Sequence, residues 1–201
     1  MGNAFKKISY GLFVVTTALE GYDNGCITNT VMQVTTTPNR ISVAVNKNNY
    51  THDLMLKRGI FNVSVISESA NFELFRHFGF QSGRGVDKFE NFSDFSRSSN
   101  GLTYITKGTN AFISAKIIST VDLGTHTMFI ADVVEDGDID QTPSATYSYY
   151  FANIKPKPQK ATQTLWRCTI CGYEEKTNEL AEDFTCPWCK HPKSDFVKVE
   201  I

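Results

Sequence analysis

Four of the five cysteines in this 201-residue chain fall in one short stretch, WRCTICGYEEKTNELAEDFTCPWC, from Trp166 to Cys189. They form two C-x-x-C pairs, Cys168/Cys171 and Cys186/Cys189. A segment this short cannot bury an apolar core of its own, so something else must hold it together. Four thiolates at this spacing can grip one metal ion, which makes Cys168, Cys171, Cys186 and Cys189 the expected ligands. A four-sulfur cage suits zinc and iron alike, so the spacing leaves open a structural clip or an electron carrier. Gly172 follows the first pair, where such a turn needs a left-handed residue. Lys190 takes the equivalent place after the second pair, at a cost of about 1 kcal/mol if its backbone is left-handed. It also sets a cation beside the metal, which would favour the reduced, more anionic state of a redox site. The aromatics Trp166, Tyr173, Phe184, Trp188 and Phe196 crowd the ligands and can serve as a miniature core around either metal.

The rest of the chain has the composition of an ordinary globular protein. Its formal net charge is −1, so nothing suggests nucleic-acid binding. No apolar run reaches the roughly 18 residues of a membrane helix. The N-terminus lacks the apolar stretch of a secretory signal. The expectation is a cytoplasmic protein with no membrane association, a setting where paired C-x-x-C motifs hold metal rather than disulfides.

The stretch NIKPKPQKATQT (153–164) carries two prolines and three lysines. Proline fixes φ and removes a donor, so neither helix nor sheet continues through it. We place a first domain at 1–154, a linker at 155–164 and a second domain at 165–201. The first domain is expected to be mainly β. GLFVVTTAL, NRISVAVNK, IFNVSVI, NAFISAKIIST and HTMFIADVVE are rich in Val, Ile, Phe and Thr and are bounded by turn residues. THDLMLKRG predicts a helix capped by Thr51 and closed by Gly59. SANFELFRHFG predicts another, with Phe72, Phe75 and Phe78 as a core stripe. Strands with peripheral helices suggest a closed or nearly closed barrel. The glycine- and serine-rich 80–101 segment is a candidate lid or dimer-contact loop.

No glycine fingerprint for a dinucleotide and no P-loop occurs in the chain. Two stretches nevertheless invite an anionic cofactor. In GCITNTVMQVTTTP, Asn29, Thr30 and Gln33 offer polar groups around a turn or strand. In VNKNNYTHDLML a strand ends at Asn46, and Lys47, Asn49 and Thr51 gather where a helix begins. A helix N-terminus with a lysine and a hydroxyl is a plausible phosphate seat, although an N-capped helix after a polar turn reads equally from these residues. His52 stands either beside that seat or in solvent; His77 and His191 are read as surface residues. Cys26 is read as a small buried side chain, with a redox-linked role conceivable from its place beside the turn.

The tail, with its aromatic before the first cysteine, C-x-x-C-G-Y, C-P-W-C and PKSDF, resembles the short rubredoxin domain found on rubrerythrins. That resemblance implies one iron, ferric or ferrous, held by the four cysteines. The run NGCITNTVMQVTTTPNRISVAVNKNNYTHDLMLKRGIFNVSVI, with the later DLGTHTMFIADVVE, resembles the flavin reductase-like, FMN-binding split-barrel family. Carried over by position, Asn29, Thr30 and Val31 would meet the flavin ring or ribityl chain. Lys47, Asn49 and Thr51 would hold the phosphate. His126 matches the family's histidine near the flavin and is the tentative catalytic residue. Asn49 stands where serine is common, and Ala131 where glycine is common. Together the two parts resemble the high-molecular-weight rubredoxins. The resemblance implies a homodimer in which NAD(P)H gives hydride to FMN and single electrons pass through the iron to an acceptor such as a flavodiiron protein. Two other readings stay open: a flavin and iron carrier with no NAD(P)H site of its own, and a zinc-ribbon binding module on a barrel.

Overall fold

A computed structural model describes residues 4, 7–156 and 164–199. The chain separates into two compact units, Met1–Pro156 and Lys157–Ile201. Of the expected linker, residues 157–163 lie outside the described residues.

The first unit is built on one seven-stranded antiparallel sheet. In chain order its strands are β1 (Phe13–Leu19), β2 (Tyr22–Thr28), β3 (Met32–Thr36), β4 (Asn39–Asn46), β5 (Ile60–Ile66), β8 (Thr109–Asp122) and β9 (His126–Asp138), ordered in space β2-β1-β5-β8-β9-β4-β3. The short strands β6 (Phe95–Arg97) and β7 (Thr103–Ile105) form a separate hairpin. Three strands separate β1 from β4 in the sheet. Yet Val15 of β1 and Val43 and Val45 of β4 share one buried cluster with Phe61, Val63 and Phe129. A flat sheet cannot bring those strands to one core, so the sheet curls into a barrel. Period-2 alternation divides the faces. Val15 points into the barrel, while its neighbour Val14 joins an outer cluster with Ile66, Phe75 and Phe78.

Two helices flank the barrel. Helix α1 (Tyr50–Arg58) buries Met55 in the inner core. It ends as expected at Gly59, whose φ of 75° lets its N–H reach the Met55 carbonyl. Its start differs from expectation. Asn49, not Thr51, is the N-cap residue, and its side chain makes no capping bond. Thr51 lies inside the helix, where its hydroxyl donates to Asn24 Oδ1 at 2.8 Å. Helix α2 (Phe72–Gly79) is capped by Asn71, which accepts from the Leu74 N–H. Phe75 and Phe78 are buried and Phe72 is partly buried, as the core stripe predicts. A further helical segment, α3 (Tyr147–Tyr149) running into a π-turn at Tyr150–Ile154, had no clear periodic signal in YSYYFANI.

The second unit is a three-stranded sheet, β11 (Glu174–Lys176), β10 (Leu165–Cys168) and β12 (Phe196–Val199). Its buried cluster is Cys168, Cys186, Leu180 and Phe196, with Trp166, Tyr173 and Phe184 packed on it. No described helix is long and apolar enough to cross a membrane.

Candidate functional site

The two cysteine pairs form matching knuckles. In the first, the Cys168 N–H donates to the Tyr173 carbonyl at 2.9 Å and Gly172 N–H returns to the Cys168 carbonyl at 2.9 Å. In the second, the Cys186 N–H donates to the His191 carbonyl at 2.8 Å and Lys190 N–H returns to the Cys186 carbonyl at 2.9 Å. The same hydrogen-bond pattern demands the same backbone, and Gly172 (φ 77°) and Lys190 (φ 61°) are both left-handed. The knuckles bring all four sulfurs within 4.8 Å of one another. Cys168 and Cys189 are 3.7 Å apart, and Cys171 and Cys186 are 3.4 Å apart. A tetrahedron with metal–sulfur bonds of about 2.3 Å has edges of about 3.8 Å, so the cage fits a single tetrahedral ion.

The sulfurs are electrostatically unequal. Burial pushes the Cys186 thiol up, but N–H groups of Cys189 and Trp188 aimed at its sulfur bring it down to about 6. Cys189 receives the N–H of His191, yet burial and the three neighbouring sulfurs leave it pushed up to about 12. Four thiols this close cannot all ionise without a cation to share, which is the electrostatic case for a bound metal. His191 is only half-buried, with Nδ1 3.1 Å from the Cys189 carbonyl, and so is part of the second knuckle rather than a free surface residue.

In the barrel unit, a cavity of about 410 Å³ opens where β2, the start of α1 and the Phe80–Lys88 segment meet. Asn48, Asn49, Tyr50 and Thr51 line one wall, Phe80 to Gly83 another, and Cys26 and Lys88 the floor. Free N–H groups at the start of α1 make this wall electropositive. Lys88 adds a full charge from inside. It is only 3% exposed, and its Nζ donates to the carbonyls of Gly25 (2.8 Å) and Phe78 (3.0 Å). Burial lowers its pKa, and the neighbouring Cys26 opposes that shift. The Cys26 thiol is raised by burial, against the pull of the Thr51 hydroxyl, Lys88 and Asn49. A Cys26 held neutral is a packing residue here and not a reactive thiolate.

Of the sequence-predicted residues, Asn49 and Thr51 line this cavity; Asn29, Thr30, Val31, Gln33, Asn46, Lys47 and His126 do not. Thr30 is pinned to β4, donating to the Ala44 carbonyl at 2.7 Å and accepting its N–H at 3.1 Å. Asn29 sits beside it and Val31 packs on the barrel core. Gln33 lies on exposed β3, bonded to Asn39. Lys47 reaches Asp122 at 2.7 Å and holds that carboxyl below its ordinary range. Asn46 is the ladder partner of His126, whose Nδ1 meets Thr125 Oγ1 at 2.9 Å. His52 is not in solvent: it is buried, bridging Thr127 (2.9 Å) and Asp53 (3.0 Å). His77 is half-buried, stacked on Phe92 and bonded to the Lys88 carbonyl. Sequence reasoning missed Lys88. Its local sequence, GVDKFENF, does not distinguish it from any surface lysine.

One chain thus carries a four-sulfur cage sized for a single ion and a barrel with a cationic cavity at a helix N-terminus. Residues 5–157 match the flavin reductase like domain family, and residues 166–197 match the rubrerythrin, rubredoxin-like domain. The chain belongs to the flavin reductase-like family and carries a C-terminal rubredoxin-like domain. These memberships imply a flavin for the barrel and an iron for the cysteine cage. The chain is 31% identical to the high molecular weight rubredoxin of Moorella thermoacetica, over 98% of each chain. It is 36% identical to the ferric-chelate reductase (NAD(P)H) of Archaeoglobus fulgidus, over 79% of this chain and 94% of that one. The NADH:FAD oxidoreductase of Streptomyces globisporus, solved with NAD and FAD fragments, shares the barrel fold. Its TM-score is 0.64 at 21% identity, over 79% of this chain and 92% of that one.

Proposed function

We infer that the protein takes hydride from NAD(P)H onto FMN in the barrel and passes electrons singly, through the iron of the cysteine cage, to an acceptor protein. The observation that carries this reading is the union, in one chain, of a cage sized for a single tetrahedral ion and a flavin reductase-like barrel. A flavin accepts two electrons and releases them one at a time, whereas a four-thiolate iron takes one, so the pair converts a hydride donor into a one-electron source.

The residues divide the work. Asn49 and the N–H groups at the start of α1, that of Thr51 among them, hold the flavin phosphate, and the buried Lys88 neutralises it from below. Asn29, Thr30 and Val31 lie outside this cavity and are proposed for the ring and ribityl chain only by their place in the flavin reductase-like family, with Gln33 beyond them on β3. Asn46 and His126 face each other across β4 and β9 at the same end of the barrel. Lys47, ion-paired with Asp122 outside the cavity, is proposed for the phosphate only by its place in the family. Cys168, Cys171, Cys186 and Cys189 hold the iron. Residues 1–154 act as the flavin domain and 165–201 as the metal domain, joined by 155–164. A cytoplasmic setting keeps the cysteines reduced for the metal.

A homodimer fits the exposed apolar surface. All five residues of β3 are exposed, with Met32 at 63%, and Ile118 and Val121 near the end of β8 and Leu123 just beyond it are exposed too. Exposed apolar strands on a sheet edge need a cover. The acceptor fits a flavodiiron type of protein, a reading supported by the likeness to high molecular weight rubredoxin.

The test is the visible spectrum of protein produced with iron and riboflavin, followed by NADH or NADPH without oxygen. Flavin bands near ~370 and ~450 nm and an iron tail near ~570 nm should all bleach. Bands that neither nucleotide touches would make the protein a carrier reduced by another enzyme. A colourless protein with stoichiometric zinc would make the tail a structural ribbon.

A further inference from the structure

Resting on the flavin reading above, we propose that Arg84 latches the Phe80–Lys88 segment across the mouth of the cavity and makes the flavin a resident cofactor rather than a diffusing product. Phe80 to Gly83 of the segment form one wall of the cavity, the start of α1 forms the other, and Arg84 follows directly on Gly83 at the rim. Arg84 bridges them. Its Nη2 meets Asp53 Oδ2 at 2.6 Å, and its guanidinium lies 5.1 Å over the Tyr50 ring. His52 and then Arg84 hold the Asp53 carboxyl below its ordinary range, so the pair stays charged at neutral pH.

The ends of the segment are fixed by other bonds. Gln81 Nε2 donates to the His77 carbonyl at 2.8 Å, and Lys88 Nζ is buried against Gly25 and Phe78. In between, Gly83 rests on Asn24, the residue that accepts the Thr51 hydroxyl. A Cβ at position 83 would stand 2.0 Å from Asn24 Nδ2. The large apolar side chains of the segment, Phe80 and Val86, face solvent. No apolar burial therefore holds the middle of the strap down, and closure falls to the polar contacts of Arg84. Retention matters for an enzyme that feeds its own iron, because a reduced flavin that left would carry its electrons away from the cage.

A bridge from protein to protein resists entry and exit alike, whereas a residue that touches the flavin slows exit only. The experiment is stopped-flow binding of FMN, followed by flavin fluorescence, to the full-length protein and its Arg84→Ala and Arg84→Lys variants. Arg84→Ala should speed association and dissociation together, each by about tenfold, leaving Kd within about threefold, as loss of a rim ion pair and a cation–π contact predicts. Arg84→Lys, which keeps the charge but not the planar stacking group, should fall between. Faster dissociation with unchanged association would mean that Arg84 touches the flavin, and unchanged rates would mean that it does nothing; either overturns the latch. No FMN binding by the unsubstituted protein would instead overturn the flavin reading itself. Circular dichroism of each variant separates a lost latch from a lost fold.

Discussion

The two sites are built in opposite ways. The metal cage draws its four ligands from 22 consecutive residues, Cys168 to Cys189, and repeats one knuckle twice. The cationic cavity draws on Cys26, Asn49, Thr51 and Lys88, spread over β2, α1 and a loop. One is made by local chain geometry, the other only after the barrel has folded. The metal unit is therefore expected to depend on its ion for its structure, whereas the barrel has a core of its own.

Breaking the cage should give the largest effect. Cys186→Ser should abolish the iron spectrum and unfold residues 165–199, since metal binding supplies on the order of 10 kcal/mol to small units of this kind. The barrel's melting transition should stay where it was, a result that differential scanning calorimetry with and without a chelator would show.

The converse is Phe129→Ala, which removes a ring with no exposure from the inner core. A loss of about 3–5 kcal/mol from the barrel is expected, with the iron spectrum unchanged. Denaturant titrations followed by flavin and iron absorbance should separate the two transitions.

Lys88→Met sharpens the comparison at the seat. It replaces a buried cation by an apolar chain of similar length. FMN should bind about 10- to 100-fold more weakly, the value of a charged hydrogen bond, and riboflavin, which lacks the phosphate, should bind as before. The pH dependence has a definite sign. Burial lowers the Lys88 pKa, so its charge is lost as pH rises, earlier than for a free lysine. FMN affinity should therefore weaken at alkaline pH in the unsubstituted protein and stay flatter in Lys88→Met.

The smallest effect is expected from Lys190→Gly. Relief of a left-handed lysine should stabilise the metal unit by about 1 kcal/mol. Loss of the cation should lower the iron reduction potential, measured by spectroelectrochemistry.

How much of this was legible in the sequence follows the same division. The cysteine ligands, the Gly172 turn and even the left-handed place of Lys190 could be read from spacing, because each is fixed by neighbours within a few residues. The main strands could be read from their alternation, and helix α2 from its phenylalanine stripe. The cap of α1 was misplaced, because Thr51 looks like a cap in sequence but serves Asn24 across the fold. His52 was read as standing beside the phosphate seat or in solvent, and it is instead buried, bridging Thr127 of β9 and Asp53. Lys88 was invisible: nothing local distinguishes a buried lysine from an exposed one when its partners are carbonyls at Gly25 and Phe78. Strand β2 was missed because its run YDNGCIT carries Asp, Asn and Gly in place of apolar alternation, and β3 and the hairpin β6–β7 because exposed or very short strands carry none.

The central claim is that the barrel feeds the cage. Rapid anaerobic mixing with NADH, recorded at ~450 nm for flavin and ~570 nm for iron, tests it most directly. The account predicts that flavin bleaches first, that iron follows, and that protein stripped of flavin but loaded with iron shows no change. Iron that bleaches without flavin, or flavin that bleaches while iron stays oxidised, would contradict it.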